Sequence, residues 1–232
     1  MVPISPQEQW AAPAFFSVYL IYLFWRQENE LLHWVSLVAL PTLLVLWLRR
    51  EAGGSGLGSV LASFGLSREN LGRGWLVALG VGVVLGMVQL FLSRSGAASL
   101  DAFRTGRAVY LLPLAFVLLL FLAGFTEEFF FRGFLQTRLE ALFNSKALSL
   151  VVTSFLFGLY HLPYAYFNPN WPSAGDWSAA WGASLGQGIP AGLIFGGLYL
   201  YTRKNLLVCV VLHALVDAFP AMALIRFGDS WH

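Results

Sequence analysis

Long runs of hydrophobic residues follow one another along the chain, and short polar stretches separate them. A helix that spans a bilayer needs about 20 predominantly apolar residues, and several runs approach that length. The pattern predicts seven membrane-spanning helices, at Ala11–Trp25, Leu32–Leu48, Trp75–Leu92, Ala108–Phe125, Leu148–Tyr164, Trp181–Tyr201 and Leu206–Ile225. Strand-length alternation of apolar and polar residues is absent, so a membrane β-barrel is not expected.

An eighth apolar segment, Glu127–Phe143, is interrupted by charged residues. By the positive-inside rule Arg50 and Lys146 both belong on the cytoplasmic side. The number of membrane crossings between these two residues agrees with this rule only if the segment dips into the bilayer without crossing it. A full crossing stays the alternative. The predicted fold class is an all-α polytopic membrane protein with seven to eight transmembrane helices and a polar intramembrane active-site cavity.

Composition supports the membrane assignment. Hydrophobic residues make up 58% of the 232 positions and charged residues only 11%, whereas an ordinary soluble protein carries about 25% charged residues. The net charge is +2 and the basic residues are scattered, which excludes a basic stripe for nucleic acid. The single cysteine, Cys209, cannot form an intramolecular disulfide, and no Cys/His cluster indicates structural zinc. We expect a multi-pass protein of a bacterial inner membrane, in contact with membrane lipids.

The segments between the runs differ in character. Arg49–Arg73 is the longest polar stretch, and Leu162–Ala180 is rich in proline, tyrosine and tryptophan and has no lysine or arginine. Because tyrosine and tryptophan favour the membrane interface, we expect this second segment to form an interfacial cap. Gly82–Gly86 and Gly192–Gly196 have the GxxxG spacing that favours close helix packing.

Ionisable residues within apolar segments are concentrated in the second half of the chain. The first three runs carry almost nothing comparable. Such residues are costly in a bilayer and usually face a bundle interior or a cavity. The candidate site residues are Glu127, Glu128, Arg132, His161, His213 and Asp217.

Helical spacing suggests contacts within this group. Glu128 and Arg132 are four positions apart, in the order that favours an ion pair on one helix face. Thr126 is a good N-cap residue, so a helix is predicted to begin there after a bend at 123–125. A helix start with an internal salt bridge would account for these features, although it leaves Glu127 unexplained.

Two further pairs share a helix face. Asp217 lies four positions after His213, where its carboxylate can hold one imidazole nitrogen, and Phe157 lies one turn before His161. Each pair alone is also compatible with ordinary packing. A helical hairpin about Ser145-Lys146 would bring the first and second elements to similar depth in the bilayer.

Such a layer of carboxylates and histidines has a definite chemistry. A carboxylate in a low-dielectric cavity can act as a general base, and an adjacent histidine can help to activate a water molecule. A second histidine opposite can donate a hydrogen bond to a developing oxyanion. These groups suffice to hydrolyse an amide bond without a serine or cysteine nucleophile.

The sequence resembles a known family at three motifs. Glu127-Glu128-x-x-x-Arg132, Phe157-x-x-x-His161 and His213-x-x-x-Asp217, in this order on successive apolar helices, are similar to those of the CPBP family of CAAX-processing and bacteriocin-processing intramembrane endopeptidases. The resemblance covers roughly Tyr110–Ile225. It suggests one membrane domain, 1–232, in which helices of 1–107 pack around a catalytic core at 108–225.

The resemblance also implies roles for the residues. Glu127 would activate water with help from His161, and His213 would stabilise the oxyanion. Glu128 and Arg132 would complete and orient the first motif. Asp217 stands where many members have asparagine, and it would either orient His213 or stay protonated in the apolar site. The implied substrate is a membrane-anchored or lipidated peptide or protein.

Several alternatives stay open at this point. Glu127, His161 and His213 could supply three zinc ligands with water in the fourth place. HExxH is absent, and the resembled family has been described both as metalloproteases and as glutamate-type enzymes. No cofactor is therefore expected with certainty. A transporter or channel with buried carboxylates, or a catalytically silent homologue, would be the rival functions.

Overall fold

The structure is a computed structural model that describes residues 4–25, 29–51, 56–66, 72, 74–93, 95–169 and 171–225. Within these ranges the chain is helical and contains no β-strand. The helices are α1 (Pro6–Trp25), α2 (Glu30–Glu51), α3 (Leu57–Ser63), α4 (Trp75–Leu92), α5 (Gly96–Arg104), α6 (Ala108–Phe143), α7 (Lys146–Phe167), α8 (Trp177–Tyr201) and α9 (Leu206–Ala221). The predicted all-α fold is confirmed.

Five of the described helices are long and apolar enough to cross a membrane. They are α2, α4, α6, α7 and the segment Leu206–Leu224, which comprises α9 and a short 3-10 turn. Helices α1 and α8 have 20 and 25 residues, but they are not among these five. The predicted number of seven to eight spanning helices is therefore only approximately supported.

Helix α6 corrects the prediction of a helix start at Thr126. The expected segments before and after this residue form one continuous helix of 36 residues. Thr126 has helical backbone angles, and its hydroxyl Oγ1 lies 3.0 and 3.1 Å from the carbonyl oxygens of Leu122 and Ala123. Glu127–Phe143 is thus the continuation of the fourth run, and not an independent eighth helix.

Two π-helical stretches, Leu120–Phe125 and Phe129–Gln136, replace the expected break in α6. A π-turn widens an α-helix locally and often occurs at functional sites. The three residues Thr126–Glu128 form the α-helical turn between the two stretches. Every residue from Phe129 to Gln136 is buried, so this part of α6 is packed on all sides by protein.

The connections on either side of α7 place it beside α6 and α8. Asn144 adopts the left-handed conformation after α6, and the Ser145 side chain accepts a hydrogen bond from the backbone N–H of Leu148 at the start of α7. The predicted hairpin is confirmed. The expected cap at Leu162–Ala180 is shorter than predicted, because α7 continues to Phe167 and α8 begins at Trp177.

Glycines allow close contact between neighbouring helices, as predicted. Gly82–Gly86 on α4 faces side chains of α9, and Gly192–Gly196 on α8 faces α7 and α6. Gly188, one turn earlier on α8, packs directly on backbone: a Cβ there would lie 2.5 Å from the Cα of Gly158 on α7. These contacts fix α7 and α9 against their neighbours.

A buried ionic cluster joins three helices away from the predicted site. Glu8 of α1 is paired with Arg49 of α2 at 3.0 Å and with Arg138 of α6 at 3.1 Å. All three side chains are buried. Sequence analysis missed this cluster, because Glu8 and Arg49 lie just outside the apolar runs. The polar stretch that begins at Arg49 therefore starts inside the protein, and its residues 52–55, 67–71 and 73 lie outside the described ranges.

Aromatic packing attaches α1 to the second π-helical stretch of α6. The ring centroid of Phe130 lies 5.8, 6.4 and 5.9 Å from those of Phe15, Phe16 and Tyr19.

The predicted division of the chain into a catalytic core at 108–225 and helices of 1–107 around it stays a prediction.

Candidate active site

The six predicted site residues come together in the bundle. Helix α6 contributes Glu127, Glu128 and Arg132, α7 contributes His161, and α9 contributes His213 and Asp217. Four of them are buried, and His161 and Asp217 are partly exposed. The prediction of a shared layer is confirmed as a geometric arrangement.

Glu127 lies between the two histidines. Its Oε2 is 3.8 Å from Nε2 of His161 and 3.9 Å from Nε2 of His213. The same oxygen is buried and has no direct hydrogen bond within the described protein. A water molecule placed beside the line that joins this oxygen to either imidazole nitrogen can lie about 2.8 Å from both atoms. The spacing therefore suits a bridging water better than direct hydrogen bonds.

His161 is held by its own helix. Its Nδ1 lies 2.8 Å from the carbonyl oxygen of Phe157. Since a carbonyl oxygen can only accept, Nδ1 carries the proton in this contact. In the neutral ring Nε2 is then an acceptor, and it points toward Glu127. The Phe157 ring supports the imidazole edge-to-face, with centroids 4.7 Å apart, as the spacing predicted.

Glu128 connects His213 to Arg132. Its Oε1 is 2.8 Å from Nδ1 of His213, and its Oε2 is 3.1 Å from Nε of Arg132. The second contact has the distance of an ion pair, although its atoms are not aligned for a hydrogen bond. The i, i+4 ion pair was predicted, whereas the contact with His213, 85 positions away, was not.

Arg132 is enclosed by aromatic rings and backbone. Its guanidinium carbon lies 4.5 Å from the ring centroid of Phe157 and 5.3 Å from that of Phe195. Its Nη2 donates to the carbonyl oxygen of Gly192 on α8 at 3.3 Å. A cation near an aromatic face is stabilised by the quadrupole of the ring. Arg132 therefore positions Glu128 without reaching the open part of the site.

Asp217 contacts the other nitrogen of His213. Its Oδ2 lies 3.3 Å from Nε2, as the i, i+4 spacing predicted. The Asp217 side chain is 40% exposed, whereas that of His213 is 6% exposed. His213 therefore has a buried carboxylate at one nitrogen and a solvent-accessible carboxylate at the other. The contact is as predicted, and the role of Asp217, either to orient His213 or to stay protonated, stays a prediction.

Sequence reasoning missed one histidine near the site. Nε2 of His33, on α2, lies 3.0 Å from the hydroxyl of Thr126, immediately before Glu127. Thr126 directs its own proton to α6 carbonyl oxygens, so His33 is the donor in this contact. His33 lies within the apolar run Leu32–Leu48, and the rule that selected His161 would also have selected it.

Two cavities meet at the site. We name the first the α2-side cavity: it has a volume of about 390 Å³ and is lined in part by Glu30, His33, Glu127, Tyr160 and Tyr164. The second, the α8-side cavity, has a volume of about 280 Å³ and is lined in part by Gln89, Ser93, Phe157, Gln187 and His213. His161, Trp171 and Asp217 line both. The junction between the cavities thus lies at the carboxylate and histidine layer.

The residues predicted as possible zinc ligands are Glu127, His161 and His213. Among the described residues, no group of three His, Cys, Asp or Glu side chains is arranged to hold a metal ion. Nδ1 of His213 is engaged by Glu128, and Nδ1 of His161 by a carbonyl oxygen. These contacts leave Nε2 of both histidines facing Oε2 of Glu127, and the binding of zinc by these three residues stays a prediction.

A comparison with known protein families finds a match to the part of the chain that holds the site. Residues 109–219 match the family model described as Type II CAAX prenyl endopeptidase Rce1-like. No curated protein and no solved structure matches the chain. The matched segment contains all six predicted residues and confirms the predicted CPBP resemblance. Together with the apolar helices, it supports protease activity in an integral membrane protein.

Proposed function

Since residues 109–219 match the family model described as Type II CAAX prenyl endopeptidase Rce1-like, we propose that the chain hydrolyses a peptide bond by a carboxylate and histidine mechanism. Glu127 and His161 activate water, and His213 stabilises the oxyanion. The observation that carries this proposal is the position of Glu127, whose Oε2 faces one imidazole nitrogen at 3.8 Å and another at 3.9 Å.

The reaction begins with a water molecule between Glu127 and His161. Glu127 accepts a proton as the water oxygen forms a bond with the carbonyl carbon of the substrate. His161 accepts a second hydrogen bond from that water through Nε2, because Nδ1 donates to the Phe157 carbonyl. Two acceptors on one water orient an oxygen lone pair toward the carbon.

The electron pair of the carbonyl bond moves to the oxygen and forms an oxyanion. The N–H at Nε2 of His213, which faces Oδ2 of Asp217 at 3.3 Å in the free site, gives up that contact and donates to the oxyanion. A donor directed at the developing charge lowers the barrier. Glu128 accepts from Nδ1 of the same ring, so both nitrogens carry protons in this step. Glu128 and Asp217 supply the negative charge that stabilises such an imidazolium.

Collapse of the tetrahedral intermediate breaks the bond between carbon and nitrogen. Glu127 returns its proton to the leaving nitrogen, which departs as an amine, and the carboxylate is regenerated. Because cavities lie on both sides of the layer, the site has room for substrate on both sides of the scissile bond. This supports cleavage within a chain, and we propose a membrane-anchored or lipidated peptide of a bacterial inner membrane as substrate.

Cleavage of membrane-tethered peptides tests this function. The purified full chain in detergent should cleave members of a fluorogenic peptide library, and Glu127→Gln and His161→Ala should each abolish cleavage. Glu140→Gln is the matched control, because Glu140 is on the same helix and pairs with Lys204 away from the site. Cleavage that survives both site substitutions would refute the assignment. A folded protein that cleaves no peptide would favour the silent-homologue or transport function.

A further inference from the structure

The two cavities differ in charge. The α2-side cavity is lined by three carboxylates, Glu30, Glu127 and Asp217, and by two histidines, His33 and His161. None of its described lining residues is lysine or arginine. Among the described residues that line the α8-side cavity, Asp217 supplies the carboxylate, and it lines the α2-side cavity as well. Glutamine and serine side chains supply further polar groups. A substrate that passes the catalytic layer therefore meets an acidic environment on one side and a largely neutral one on the other.

Glu30 is the carboxylate that the mechanism does not use. It lies in the first turn of α2 and is exposed, and within the described part of the chain it forms no ion pair. A carboxylate in this turn is favoured by the helix dipole, but that effect does not require it to face a cavity. Glu30 faces the same cavity as Oε2 of Glu127, which is buried and lacks a direct hydrogen-bond partner.

We propose that the α2-side cavity binds a basic side chain of the substrate and that Glu30 is a specificity-determining residue that contacts it. The α8-side cavity accepts an uncharged side chain. This inference rests on the proposed function and narrows its substrate class to membrane-anchored peptides with a lysine or arginine beside the scissile bond. A long basic side chain can keep its stem in the apolar region while its charge reaches Glu30 at the start of α2.

Substrate charge tests the inference. Tethered peptides that differ only at the two positions flanking the scissile bond would carry lysine, norleucine or glutamate there, in vesicles of neutral phosphatidylcholine. The readout is the ratio of kcat/KM for lysine over norleucine. An exposed ion pair contributes up to about fivefold, so Glu30→Gln should lower this ratio about fivefold at one position. Glu30→Lys adds repulsion and should lower it about 25-fold in total.

Glu51→Gln is the matched control, because Glu51 is an exposed carboxylate at the opposite end of α2. It should keep the wild-type ratio. Raised salt should weaken the wild-type preference by screening. Equal ratios in wild type and Glu30→Lys would overturn the inference, as would a wild-type preference for norleucine or glutamate at both positions.

Binding separates this inference from the proposed function. If the folded wild-type protein cleaves none of the peptides, their affinity is measured by fluorescence anisotropy. Tighter binding of the lysine peptide that is lost in Glu30→Lys would support the acidic subsite even though hydrolysis fails. Equal affinity for the lysine and norleucine peptides would refute it.

Discussion

Replacement of Gly188 by alanine should lower activity through the packing of α8 on α7. A Cβ at this position would lie 2.5 Å from the Cα of Gly158 and 3.1 Å from its nitrogen. Ordinary contact begins at about 3.4 Å, so the overlap is about 0.9 Å, from 3.4 minus 2.5. Both neighbouring atoms belong to the backbone, and no side chain can rotate away. The two helices must therefore separate by about 1 Å.

The separation would displace His161, which lies three positions after Gly158 on α7. A misplacement of about 1 Å in a catalytic group can cost about 10²-fold in rate, and we expect kcat/KM to fall by that factor. Overpacking costs about 1–3 kcal/mol of stability. The gain in helix propensity from glycine to alanine, about 1 kcal/mol, offsets part of this cost.

Gly186→Ala is the matched control on the same helix. A Cβ at Gly186 has no atom within 4 Å in the described structure, so this variant should retain activity and gain slightly in stability. The assay is kcat/KM with a tethered fluorogenic peptide, together with Tm in detergent. Full activity and unchanged Tm in Gly188→Ala would refute the reasoning, and so would an equal loss in Gly186→Ala.

Four further outcomes follow from the ionic contacts and from the proposed mechanism. Glu128→Gln should lower kcat about 10²-fold with little change in KM, because Glu128 holds His213 and does not contact the substrate. Separate measurements of kcat and KM check this prediction. A change in KM alone would contradict it. Glu8→Gln leaves two buried guanidinium groups without their carboxylate and should cost about 3–5 kcal/mol in unfolding experiments. Asp101→Asn, at an exposed ion pair with Arg107, should cost at most about 1 kcal/mol of stability. Equal losses of stability in Glu8→Gln and Asp101→Asn would contradict the expected difference between a buried and an exposed ion pair. The proposed carboxylate and histidine mechanism predicts that a chelator leaves cleavage unchanged. Loss of cleavage that added zinc restores would disprove this.

Sequence spacing predicted contacts within one helix because helical periodicity is regular. The pairs Glu128 with Arg132 and His213 with Asp217 were predicted in this way. The contact between Glu128 and His213 depends on how α6 and α9 pack, and a single sequence carries no direct signal for it. The site was therefore predicted as a group of residues, while its connections between helices were not.

The errors have physical causes as well. Thr126 has the chemistry of an N-cap, but α6 continues through it, because the surrounding bundle stabilises a widened helix that local preference does not favour. Glu8, Arg49 and Arg138 were missed because each lies outside or near the end of an apolar run. Only the fold brings their charges together.

The division of the site among α6, α7 and α9 has a consequence for biogenesis. Glu127 is synthesised first, His161 follows on the next helix, and His213 arrives only with α9. Under the proposed mechanism, a partly inserted chain has the base but lacks the oxyanion donor, so it should not cleave neighbouring membrane proteins. The same mechanism implies that proteolysis begins only after α9 has docked, so that correct assembly itself would protect the membrane from premature cleavage.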